Sequence, residues 1–165
     1  MSSIQVDRFH FSPDTRAFLE ALQAHDVRYL IVGGEAVILY GHARLTGDAD
    51  FFYSAEAGNV QRLFQALRTF WGGEIPGVGS PAELADPGVV IQFGRPPNRI
   101  DLINQIDGVT FEQAWPGRLE AEVAGGSLPT RANYIGVRDL IRNKEASGRP
   151  KDLDDLAYLR GRPVP

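Results

Sequence analysis

Two hydrophobic patterns alternate along this chain. Apolar residues at helical spacing, together with end signals, predict helices at about 13–25, 35–40, 56–69, 136–147 and 151–159. Short β-branched or alternating runs predict strands at 27–32, 48–53, 89–93, 99–103, 119–123 and 127–130. This order predicts a mixed α/β (α+β) fold, a single domain over residues 1–165 with helices packed on a sheet.

Polar and glycine residues mark where these elements begin and end. Ser12-Pro13 predicts the start of the first helix, with serine as the cap and proline at the first helical position. Gly33-Gly34 ends a buried apolar strand and opens a helix. Backbone N–H groups are free at such a junction, which makes it suitable for holding an anion.

Composition limits the classes of function. The 165 residues include no cysteine, which excludes disulfides, thiolate metal sites and cysteine nucleophiles and suits a reducing cytoplasm. Three histidines and a net charge of −4 argue against a histidine-rich zinc site and a dedicated duplex-DNA binder. No apolar run reaches about 18 residues and the N-terminus does not resemble a signal peptide, so we expect a cytoplasmic protein without a membrane partner.

Three aspartates are the candidate catalytic and metal-binding residues. Asp48 and Asp50 lie two positions apart in a predicted strand, so both side chains point to one face. Two neighbouring carboxylates repel unless a cation lies between them, and Mg²⁺ prefers carboxylate and phosphate oxygens. The alternative is a solvated strand edge or turn. Asp101, within the apolar run Arg99–Ile103, needs a partner or a chemical role, which favours the site.

The combined pattern resembles a known family. A hydrophobic strand, Gly33-Gly34, a spacer, Asp48-x-Asp50 and a later strand aspartate, Asp101, are similar to the DNA polymerase beta-like nucleotidyltransferase superfamily. The string GGEAVILYGHARLTGDADFF resembles its minimal prokaryotic branch, which includes toxin–antitoxin, abortive-infection and antibiotic-modifying members. LIRNKEASGRPKDLDDLAYL is similar to the closing segment of many proteins in that branch, so the resemblance covers about residues 30–160.

The resemblance implies roles for these residues. Gly33 and Gly34 would contact the triphosphate of a nucleotide through their backbone. Asp48 and Asp50 would bind two Mg²⁺ ions, and Asp101 would share a metal and help to deprotonate the acceptor hydroxyl. Many members carry serine where this chain has Gly34, so the resemblance implies a phosphate site that lacks one hydroxyl contact.

Two functional hypotheses follow. The first is a Mg²⁺-dependent nucleotidyltransferase that moves a nucleoside monophosphate from a nucleoside triphosphate to a hydroxyl on a protein, an RNA end or a small molecule. The second is a catalytically inactive, antitoxin-like binding module that keeps the fold. For either, the expected protein partner is a small protein or a second copy of the chain.

Basic residues supply candidate substrate contacts. Arg44, four residues before Asp48, is positioned either to neutralise a phosphate or to face solvent. Lys144, on the apolar stripe of its helix, either binds substrate with Arg149 and Lys151 or pairs with an aspartate among 152, 154 and 155. For His42 a loop or packing role is favoured over that of a catalytic base.

Residues 71–87 form a long segment with seven glycine or proline positions. We expect Trp71 and Ile75 to anchor its start and residues 81–86 to form one helical turn. Loops of this length often contact ligands, so the hypothesis is that it folds over the metal site and sets acceptor choice.

Overall fold

The computed structural model describes residues 4–42, 46–126 and 128–161. Seven strands of these residues form one mixed sheet: β1 (Ile4–Val6), β2 (Tyr29–Val32), β3 (Asp48–Tyr53), β4 (Val90–Phe93), β5 (Arg99–Ile103), β6 (Leu119–Val123) and β7 (Thr130–Tyr134). The helices are α1 (Pro13–Ala24), α2 (Gly33–Leu39), α3 (Ala57–Trp71), α4 (Pro81–Ala85), α5 (Phe111–Ala114), α6 (Val137–Ser147) and α7 (Pro150–Arg160), with a 3-10 turn at Trp115–Gly117. The mixed α/β prediction is confirmed.

The strand order is β1-β6-β7-β2-β3-β5-β4. In the part of the sheet that carries the aspartates, β3 pairs antiparallel with β2 and parallel with β5. β4 pairs antiparallel with β5 and lies at the edge of the sheet. Strand β3 is therefore an interior strand, paired on one side with β2, the strand before it in the chain, and on the other with the more distant β5.

The two faces of β3 are both covered by apolar side chains. Phe51 packs edge-on against Phe18 of α1, with ring centroids 5.0 Å apart. Phe52, on the opposite face, packs edge-on against Phe111 of α5 at 5.4 Å. Both β3 phenylalanines are almost fully buried. Because side chains alternate along a strand, Asp48 and Asp50 share the Phe52 face.

The end signals of the first helix act as the sequence predicts. Ser12 caps α1, and its Oγ accepts a hydrogen bond from the backbone N–H of Thr15 at 3.1 Å. Pro13 occupies the first helical position, where its missing N–H costs no hydrogen bond.

Within the described residues, no helix has the length and apolar composition needed to cross a membrane.

The sequence-based boundaries are wrong in the second half of the sheet. The strand predicted at 127–130 is β7, which begins only at Thr130 and pairs with β6. Pro129 lacks the N–H that a strand ladder requires, which explains a start after it. Ser127 lies outside the described residues. Strand β1, which adds a parallel edge strand beside β6, was not predicted from the sequence.

Candidate active site

The three aspartates converge on one face of the sheet. Asp48 and Asp50 project from β3, and Asp101 lies directly opposite Asp50 in the parallel pairing of β3 with β5. One carboxylate oxygen of each residue can be chosen so that all three lie within 4.8 Å of one another. Asp101 is buried, whereas the other two are partly exposed. The predicted convergence of these side chains is confirmed.

Gly33 brings the backbone of α2 against this cluster. Its φ of +65° is in the left-handed region, which favours glycine. A Cβ atom at this position would also collide with Oδ2 of Asp50. The first glycine of the Gly33-Gly34 pair is therefore required both by its conformation and by the approach of the carboxylate. Gly34 is buried as the second residue of α2.

Arg99 is the residue of this site that the sequence analysis missed. Its Nη2 donates to Asp48 Oδ2 at 2.7 Å and to Asp101 Oδ2 at 3.2 Å, and its Nε donates to Asp101 Oδ1 at 2.9 Å. The signal was present in the sequence, since Arg99 precedes Asp101 by two positions in one strand and must share its face. The guanidinium supplies a positive charge between two of the three carboxylates.

Burial and the neighbouring charges shift the pKa values of the three aspartates in different directions. Burial, and next the charges of Asp48 and Asp101, raise the pKa of Asp50 to about 7, although the charge of Lys151 opposes the rise. Burial opposes ionisation of Asp48, but contacts with Asp101 and Arg99 outweigh it and lower its pKa. Burial raises the pKa of Asp101 in spite of its contact with Arg99. Ionisation of all three carboxyl groups at once is therefore unfavourable unless a cation binds beside them.

The junction of α6 and α7 contributes positive charge near the cluster. Lys151, an exposed residue of α7, lowers the pKa of Asp50 through its charge. Asp50 in turn helps to raise the pKa of Arg149, although the largest cause of that rise is the hydrogen bond from Arg149 to Asp152. Arg149 is also exposed. The positive charges of Arg149 and Lys151 therefore act on Asp50 from the α6–α7 junction.

Lys144 does not belong to that basic pair. Its side chain is 3% exposed, and its Nζ lies 3.1 Å from Asp152 Oδ1 and 3.0 Å from Asp155 Oδ2. Both aspartates belong to α7, so this lysine links α6 to α7 through two ion pairs. The substrate-binding alternative for Lys144 is therefore wrong, and its predicted pairing with aspartates among residues 152, 154 and 155 is confirmed.

Between α2 and β3, the structure describes residues 40–42 and 46–47. His42 stacks on Tyr158 with ring centroids 4.4 Å apart, which supports a packing role over that of a catalytic base. Thr46 donates from Oγ1 to the backbone oxygen of Asp48 at 3.0 Å and fixes the entry to β3. Arg44, the other predicted substrate contact, lies outside the described residues.

The 71–87 segment lies on the other side of the sheet. As predicted, Ile75 is buried and a short helix, α4, forms within the segment. Trp71, the other expected anchor, is the last residue of α3 and is 39% exposed, although its ring packs against Phe93 at 5.2 Å. The carbonyl of Leu84 in α4 accepts hydrogen bonds from Tyr53 Oη at 2.7 Å and from Asn104 Nδ2 at 3.2 Å. Tyr53 is three positions from Asp50 in β3 and so points to the opposite face. The hypothesis that this segment covers the metal site and sets acceptor choice is therefore wrong.

No family model and no curated protein matches this chain. The assignment of a function therefore rests on the geometry and chemistry of the site itself.

Proposed function

We propose that this protein is a Mg²⁺-dependent nucleotidyltransferase that moves a nucleoside monophosphate from a nucleoside triphosphate to an acceptor hydroxyl on a protein, an RNA end or a small molecule. The observation that carries the proposal is the convergence of Asp48, Asp50 and Asp101 within 4.8 Å, from two adjacent strands. The close approach of Gly33 to Asp50 adds a backbone surface beside the carboxylates.

The donor set fits magnesium. All three side chains offer carboxylate oxygens, which are the ligands that Mg²⁺ prefers. Burial and like charge raise the pKa of Asp50, and a bound cation would relieve both effects. Asp48, Asp50 and Asp101 would hold the ion. When bound, it supplies Lewis-acid stabilisation of the charge that develops on the transferring phosphate and on the acceptor oxygen.

The residues of the chain have separate tasks in the proposed reaction. The acceptor oxygen forms a bond to the α-phosphorus, the bond from the α-phosphorus to the bridging oxygen breaks, and pyrophosphate leaves. Asp101, held in place by Arg99, takes the proton of the acceptor hydroxyl. Arg149 and Lys151 approach from the α6–α7 junction and offset the charge of the triphosphate and of the leaving pyrophosphate.

One observation favours the second candidate, a non-catalytic binding module of the same fold. Arg99 already gives Asp48 and Asp101 a positive partner. A cluster that has lost its metal and kept its fold would need such a residue. The two candidates differ in whether the aspartates act on a nucleotide.

The test is transfer of label from nucleoside triphosphates in the presence of Mg²⁺ and a cell extract as the source of acceptor. Label on the α-phosphate should reach an acceptor with the wild type and not with Asp50→Asn. Asp86→Asn, which alters an exposed aspartate next to α4, is the matched control and should retain activity. Transfer from the γ-phosphate alone would show a phosphotransferase, and no Asp50-dependent transfer would favour the binding module.

A further inference from the structure

Arg99 is the cationic side chain whose described contacts reach directly into the aspartate cluster. Three hydrogen bonds of 2.7, 2.9 and 3.2 Å hold its guanidinium to Asp48 and Asp101. The side chain is 30% exposed, so these contacts are only partly screened by solvent. Its described ion pairs do not include Asp50, the carboxylate that burial and like charge disfavour most.

We propose that Arg99 is a positioning residue that acts as an internal cation: it holds Asp48 and Asp101 together in the metal-free protein and weakens the binding of a divalent metal ion to the same carboxylates. This role rests on the metal site of the proposed function. It raises the metal concentration at which the site becomes half occupied, because the ion must bind beside a charge of the same sign.

The stereochemistry of the carboxylates allows Arg99 and a metal ion to share them. Each ionised carboxylate has about four lone-pair positions on its two oxygens. Arg99 uses one position on Asp48 Oδ2 and one on each oxygen of Asp101. Thr46 takes one position on Asp48 Oδ1, and Gln92 takes a second one on Asp101 Oδ2. The remaining positions, together with Asp50, can still face a cation. Arg99 therefore does not need to leave, and its effect on the ion is electrostatic repulsion.

The strength of the repulsion follows from charge and distance. A unit charge about 6 Å from a divalent ion, in surroundings nearly as polar as water, lowers the affinity about tenfold. Less polar surroundings make the effect larger. Removing the charge should therefore tighten metal binding even though it also removes hydrogen bonds that orient Asp48 and Asp101.

The experiment measures Mg²⁺ affinity by isothermal titration calorimetry on the full chain. Arg99→Gln removes the charge and keeps a hydrogen-bond donor, and we expect it to bind Mg²⁺ about tenfold more tightly than the wild type. Arg99→Lys keeps the charge and should remain close to the wild type. Arg68→Gln, which alters an exposed arginine of α3, is the matched control and should leave the affinity unchanged.

A second readout is the melting temperature with EDTA and with Mg²⁺. Arg99→Gln should melt below the wild type in EDTA, because Asp48 and Asp101 lose their positive partner. It should gain more from added Mg²⁺ than the wild type does. This thermal shift also reports binding if the variant is too unstable for calorimetry.

The outcomes separate this inference from the proposed function. Equal or weaker Mg²⁺ binding in Arg99→Gln overturns the inference and leaves the metal site standing. Failure of the wild type and every variant to bind Mg²⁺ overturns both. Tighter binding in Arg99→Gln without any transfer of nucleoside monophosphate by the wild type supports the role of Arg99 and contradicts the transferase.

Discussion

Replacing Asp50 by asparagine should stabilise the metal-free protein at alkaline pH. The substitution keeps the size of the side chain and removes a negative charge that burial and the neighbouring Asp48 and Asp101 disfavour. Under the proposed function, this unfavourable carboxylate is the consequence of holding three carboxyl groups close together for a cation. The Asp50→Asn variant would relieve that cost and bind Mg²⁺ more weakly.

The magnitude follows from the pKa of Asp50, which is raised from 3.8 to about 7. At about 1.4 kcal/mol for each pKa unit, keeping Asp50 ionised costs the folded state about 4 kcal/mol. Because the folded protein binds this proton more tightly than the unfolded chain, the cost is absent below about pH 4. It grows as the pH rises and is complete once the pH exceeds the folded pKa of about 7.

The assay is a series of thermal melts in EDTA between pH 4.5 and pH 8.5, or roughly from the unfolded pKa to above the folded one. For a domain of this size, Asp50→Asn should melt roughly 10 °C above the wild type at the alkaline end and close to it at the acid end. Asp86→Asn is the control and should follow the wild type. A variant no more stable than the wild type at alkaline pH, or equally stabilised at both ends, would refute the reasoning.

Two further predictions concern residues around the cluster. Gly33→Ala should lose more stability than Gly72→Ala, because both glycines have φ near +70° but only the Cβ at position 33 would meet another residue, Asp50; urea unfolding of both variants gives the difference, and equal losses would contradict the close approach. Lys144→Met should cost about 3 kcal/mol in urea unfolding, because it removes the buried ammonium group from between Asp152 and Asp155, although Arg149 still pairs with Asp152. Lys151→Met, at an exposed position, should keep its melting temperature and lose nucleotide transfer. If Lys151→Met instead lowered the melting temperature and Lys144→Met lost only transfer, Lys144 would be the substrate contact and Lys151 the structural residue.

The local elements of the fold could be predicted from the sequence where the signal acts over a few residues. The bounds of β3 at 48–53 and β5 at 99–103 agree with the prediction. The start of α1 at Pro13 follows from the cap at Ser12. Alternation and capping depend on neighbouring residues, so a single sequence contains enough information for them.

Short elements were missed because their patterns are brief or their stability comes from elsewhere. Strand β1 has three residues and exists by pairing with β6. Helix α5 has four residues, although Thr110 and Gln113 form a capping box that the sequence shows. Such segments are stabilised by the sheet or core on which they pack, and a periodic pattern cannot develop over three or four positions.

The sequence by itself placed Asp48 and Asp50 on one face of a strand, because alternation is a property of the strand alone. It named Asp101 as their partner, but only the pairing of β3 with β5 set Asp101 opposite Asp50. The same pairing brought Arg99 within 2.7 Å of Asp48, a residue 51 positions away. The burial of Lys144 against α7 and the position of segment 71–87 on the opposite face were likewise decided by packing between distant elements. Contacts of this kind depend on which strands become neighbours and which face of the sheet each helix covers. Both are determined by the packing of the complete chain and not by the local sequence.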